Sequence, residues 1–109
     1  MIQIPQDFRE FLRLLNYHNV EYLLIGGYAV GYYGFVRATG DMDIWMGVPP
    51  LRLEILTTIS GVDFAKCFQN RLTDQIDGID VNLINLEDLK INKKASGRLK
   101  DLLDLENLP

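Results

Sequence analysis

The apolar run VEYLLI, residues 20–25, stops abruptly at Gly26-Gly27, and the chain then leads to DMDIWM at 41–46. This arrangement constrains the fold more than any other feature. The run has strand length, and the glycines end it. GYAVGYYGF, residues 27–35, reads as a short helix with Ala29, Val30 and Tyr33 inward, although Gly31 and Gly34 weaken it. DMDIWM alternates as a strand does, with Asp41 and Asp43 on one side and Met42, Ile44 and Met46 on the other.

The rest of the chain extends this pattern. PQDFREFLRLLNYHN, residues 5–19, predicts an amphipathic helix with Phe8, Phe11, Leu12 and Leu15 on its apolar face. VPPLRLEILTTI, residues 48–59, opens on a Pro-Pro turn and then alternates, with Leu51, Leu53 and Ile55 on one side. VDFAKCFQNRL, residues 62–72, suits a short helix. DQIDGIDVNLIN, residues 74–85, reads as two strands around the hairpin dipeptide Asp77-Gly78. Residues 86–108 are helical in pattern, with a break at Ser96-Gly97. Helix, strand, helix, strands, then helices make an α+β fold with one mixed sheet. At 109 residues, a single domain over 1–109 is expected.

Composition narrows the function classes. Apolar residues make up 48% of the chain, enough for a packed core. The net charge of -4 argues against non-specific nucleic-acid binding, though a local basic pocket remains compatible with it. Cys67 is the only cysteine, so no internal disulfide can form, and a buried thiol is expected. The start MIQIPQDFREF lacks the pattern of a secretory signal, and no apolar run approaches the ~20 residues of a membrane span. A cytoplasmic protein without a membrane partner is the expectation.

Residues two apart on a strand share a face, ~6.6 Å from one another. Asp41 and Asp43 therefore project together and repel, and burying either is costly without a counter-charge. A divalent cation removes that cost. Mg²⁺ in particular favours carboxylate oxygens with water and phosphate oxygens. A third acid from a nearby strand would complete such a cup, and both Glu54 (in LEI) and Asp80 (in IDV) have the local pattern. Solvated acidic strand faces are common, so the D-x-D pair alone is weak. Gly26-Gly27 adds a second element, because a strand–Gly-Gly–helix junction offers backbone N–H groups to a phosphate.

Taken together, LLIGG, DMDIW and LEI resemble the nucleotidyltransferase superfamily that includes DNA polymerase β and the minimal nucleotidyltransferases. Arg37, Thr39, Asp41 and Asp43 match the R-x-T-x-D-x-D pattern of bacterial proteins related to AbiEii-type nucleotidyltransferase toxins. The C-terminal run also resembles theirs. The resemblance implies a mixed sheet with packed helices and a catalytic, metal-binding set of Asp41, Asp43 and Glu54. It selects Glu54 over Asp80 and implies Mg²⁺ or Mn²⁺ as cofactor. Gly26, Gly27, Arg37, Thr39 and Lys93 become the nucleotide-binding set, the GRLKD stretch at 97–101 lies near the nucleotide, and Asp101 and Asp104 position the basic residues. The implied reaction moves an NMP from an NTP, ATP foremost, to a hydroxyl of a protein or RNA, within a toxin–antitoxin system.

The chain departs from those relatives in three places. Gly27 stands where many have Ser, and Glu54 where Asp is commoner. Relatives also carry a few dozen further residues before the GVPPLRLEIL strand. Here Trp45 runs directly into Met46, so that segment is either absent from this protein or missing between Trp45 and Met46. The alternative expectation is a catalytically weak antitoxin-like subunit that binds a nucleotide or a partner. A homodimer and a cognate toxin or antitoxin are further partner expectations. His18 reads as a surface or capping residue, and Trp45, Tyr28, Tyr32 and Tyr33 as core rather than base-stacking groups.

Overall fold

The computed structural model describes residues 3–37, 40, 42–47 and 61–109. Among these the elements run α1 (Gln6–Tyr17), β1 (Tyr22–Ile25), α2 (Gly26–Tyr32), β2 (Asp43–Met46), α3 (Phe64–Gln69), β3 (Leu72–Ile76), β4 (Ile79–Leu83), α4 (Leu86–Ser96) and α5 (Leu99–Asn107). This is an α+β fold with a four-stranded mixed sheet in the order β2-β1-β4-β3.

Every residue of β1 is buried, as its unbroken apolar run requires of a central strand covered on both faces. It pairs antiparallel with β2, from Tyr22 against Met46 to Ile25 against Asp43. On its other side it runs parallel to β4, with Leu24 level with Leu83. Leu23, Leu24, Val81 and Leu83 are all fully buried. Side chains of this kind contribute about 1.5–3 kcal/mol each when removed from water. β3 and β4 form the expected hairpin. Asp77 and Gly78 both take positive φ, 52° and 79°, which matches the twist of a two-residue turn.

Two inward faces differ from expectation. In α1, Leu12 and Leu15 are buried and Phe8 is partly so, but Phe11 is 40% exposed. An α-helix turns ~100° per residue. Phe8, Leu12 and Leu15 therefore cluster within about 60°, and Phe11 falls to their side. In β2, Trp45 is buried as its core reading expects, but the buried side is the one that carries Asp43, while Ile44 and Met46 are only half-buried. α3 causes this, because Phe64 stands edge-on to the indole at 5.0 Å.

The C-terminal helices meet at a sharp joint. Asn85 caps α4 by accepting from Asp88 N–H at 2.8 Å. Gly97 ends it in the left-handed conformation, φ 63°, a position that favours glycine. The break expected at Ser96-Gly97 is therefore where α4 stops and α5 can turn back against it.

Candidate functional site

The sheet order places the end of β1, the start of α2 and the start of β2 together. Asp43 is the first residue of β2 and lies opposite Ile25, and its side chain packs beside Gly26, the residue that follows. Gly26 has φ +67°. A Cβ there would lie 3.1 Å from Asp43 Cβ and 3.0 Å from its Cγ, and would collide with Oδ2. Both the backbone conformation and the close approach thus demand glycine. The Asp43 carboxylate is exposed and makes no hydrogen bond among the described residues. Gly27 is buried in the first turn of α2.

A second group of charges comes from α4, α5 and the segment after α2. Lys93 Nζ sits between Asp101 Oδ1 at 3.1 Å and Asp104 Oδ2 at 3.0 Å. Asp104 also takes the Arg37 guanidinium in a fork, with Nε at 2.8 Å and Nη2 at 2.9 Å. Asp101 takes Arg98 Nε at 2.8 Å and accepts from the Arg98 backbone N–H at 3.3 Å. Lys93, Asp101 and Asp104 are buried at 5%, 1% and 0% exposure. Burial raises both carboxyls toward their neutral forms, but the hydrogen bonds outweigh it. Arg98 and Lys93 hold Asp101, and Arg37 and Lys93 hold Asp104, below the usual carboxylate range.

The two groups lie within electrostatic range of one another. Asp101, hydrogen-bonded to Arg98, is the main influence holding that guanidinium in its charged form, and the Asp43 carboxylate also contributes. An acid set against bare backbone, with a cationic cluster in that range, can bind a hard cation together with an anion. An exposed carboxylate oxygen like that of Asp43, without a hydrogen-bond partner among the described residues, is the donor type that Mg²⁺ and Mn²⁺ accept.

The structure thus joins Gly26, Gly27 and Asp43 in one locale and ties Arg37 and Lys93 into the ion-pair cluster. Thr39, Asp41, Glu54 and the strand expected over 51–55 lie outside the described residues. Among the described residues no three His, Cys, Asp or Glu side chains converge on one point. Asp80, the alternative third acid, is exposed and hydrogen-bonded to Gln75 at 3.1 Å. Three residues before Leu83 on β4, it lies level with Glu21. That is about 13 Å along the strands from Asp43 and about two strand spacings across.

Arg98 lies in the GRLKD stretch that the resemblance places near the nucleotide, but it was not singled out among the expected nucleotide-binding residues. Its signal was the i, i+3, i+6 spacing of Arg98, Asp101 and Asp104, which sets one base and two acids on one helical face. No helix among the described residues is long and apolar enough to cross a membrane. No family model, curated protein or solved structure matches the chain.

Proposed function

We propose that the chain is a cytoplasmic, Mg²⁺-dependent nucleotidyltransferase that moves an NMP from an NTP, ATP foremost, to a hydroxyl of a protein or RNA. The observation that carries this reading is the contact of the Gly26 backbone with the Asp43 carboxylate, fixed by the Ile25–Asp43 register. It sets a side-chain-free stretch of main chain beside an acid, as a phosphate and its counter-ion would require. In this reading Asp41, Asp43 and Glu54 hold the metal, which supplies charge neutralisation at the transferring phosphate when bound. The backbone of Gly26 and Gly27 orients the phosphate chain. Lys93 and Arg37 hold the adjoining helices in place through Asp101 and Asp104.

Calorimetry tests the site and labelling tests the reaction. Asp43→Asn should lower affinity for Mn²⁺-ATP by tenfold or more while leaving the melting temperature near that of the parent. Unchanged affinity would remove the metal from Asp43. Incubating the protein with each labelled NTP, Mg²⁺ and cell lysate should label a protein or an RNA.

The exposed leucines of α5, Leu99 at 87%, Leu102 at 46% and Leu103 at 50%, favour a second reading. In it, a catalytically weak, antitoxin-like subunit binds a partner such as a cognate toxin through that face.

A further inference from the structure

We propose that Arg98, and not Lys93, is the cation that takes the phosphate chain beside Asp43, with Asp101 as its positioning residue. This inference rests on the nucleotidyl-transfer reading and assigns one ligand within that site. The two cations differ in how much of their charge is already engaged. Lys93 is 5% exposed and bonded to two buried carboxylates, so it cannot reach an incoming anion without stranding both. The Arg98 side chain is 72% exposed. Of its five N–H donors, those on Nε and one on Nη2 go to Asp101, at 2.8 and 3.4 Å. The other three are uncommitted among the described residues.

The burial of the cluster favours the same residue. Lys93 bonds both buried carboxylates, while Arg37 bonds Asp104 and Arg98 bonds Asp101. Both carboxylates and Lys93 are buried. The cation of the cluster most open to an incoming anion is therefore Arg98, within electrostatic reach of Asp43. A planar fork anchored at one edge and open at the other suits phosphate oxygens. Asp101 fixes that fork from two sides, through Nε and through the Arg98 backbone N–H. The exposed lysines nearby, Lys94 and Lys100, have no such anchor among the described residues.

Titrating the full chain with inorganic tripolyphosphate, metal-free and at constant ionic strength, tests the proposal. Arg98→Gln should weaken binding about tenfold or more, as expected for loss of a charge-assisted bidentate contact. Arg98→Lys should recover part of that loss, and Lys100→Gln should change binding by less than about threefold. The substituted side chain is exposed, so far-ultraviolet circular dichroism should stay unchanged. Equal losses in Arg98→Gln and Lys100→Gln would overturn the proposal, since they indicate diffuse attraction only. Absence of tripolyphosphate binding by the parent would also overturn it. If binding follows Arg98 but no NTP labels any acceptor, the anion ligand stands and nucleotidyl transfer falls. If transfer occurs with the parent KM for NTP in Arg98→Gln, the assignment of Arg98 falls instead.

Discussion

Gly26→Ala offers the most stringent test of the geometry at the candidate site. Two separable penalties are expected. A φ of +67° costs an L-residue with a side chain about 1–2 kcal/mol relative to glycine. The added methyl also collides with Asp43, whose Cγ and Cβ would lie at 3.0 and 3.1 Å. Moving that exposed carboxylate off its preferred rotamer costs about 0.5–1.5 kcal/mol more. The sum is about 2–3 kcal/mol, to be read from urea denaturation monitored by circular dichroism. A double-mutant cycle with Asp43→Ala separates the parts. Asp43→Ala removes Oδ2 and Cγ and leaves Cβ, so most of the collision penalty disappears while the φ penalty remains. Gly26→Ala should therefore cost about 1–2 kcal/mol in the Asp43→Ala background. A fully additive cycle would refute the contact, and a neutral Gly26→Ala would refute the backbone conformation as well.

Other outcomes follow from the charged cluster and the core. Lys93→Met leaves Asp101 and Asp104 buried with one cation fewer, and should destabilise the fold by about 3–5 kcal/mol in the same assay. Asp101 and Asp104 are held below the usual carboxylate range, so the unfolded chain binds protons that the folded one does not. Their stabilisation is complete above the unfolded value of about 3.9 and is lost as pH falls toward their folded values. The urea midpoint should stay flat from about pH 7 to 5 and drop below about pH 4, more gently in Asp104→Asn. Burial first, then Asp88, pushes the Cys67 thiol up to about 12. A disulfide reagent at pH 8 should thus react with the folded protein only at the rate of unfolding, and rapid native labelling would contradict its burial.

How much of this was legible from the residues depended on whether local pattern and tertiary environment agreed. Asp77-Gly78, the apolar run of β1 and the stop at Gly97 are set by backbone conformation, and all three lie where the sequence indicates. Helix α5 shows the opposite case. Apolarity alone would turn Leu99, Leu102 and Leu103 inward, yet these are exposed and Asp101 and Asp104 are buried. The reason lies outside the helix, in Lys93 and Arg37, which neutralise the acids from α4 and from the segment after α2. Trp45 was similarly decided by a neighbour, since Phe64 covers the side of β2 that its acid had marked as wet. Lys93 stood among the candidate site residues, but its burial between two carboxylates depends on a fold in which α5 returns along α4.

The position of Trp45 gives the protein an internal optical probe. It is the only tryptophan in the chain and is 1% exposed. It lies two residues from Asp43 on the same side of β2, with Phe64 edge-on to its ring and Phe68 stacked on Phe64. Emission from the folded state should therefore be blue-shifted and come from one environment. A ligand that pulls on the Asp43 end of the strand is registered at the indole without any label. Stopped-flow fluorescence of the unmodified chain can then time events at the site, while the same signal shifts to the red only when the aromatic packing itself opens.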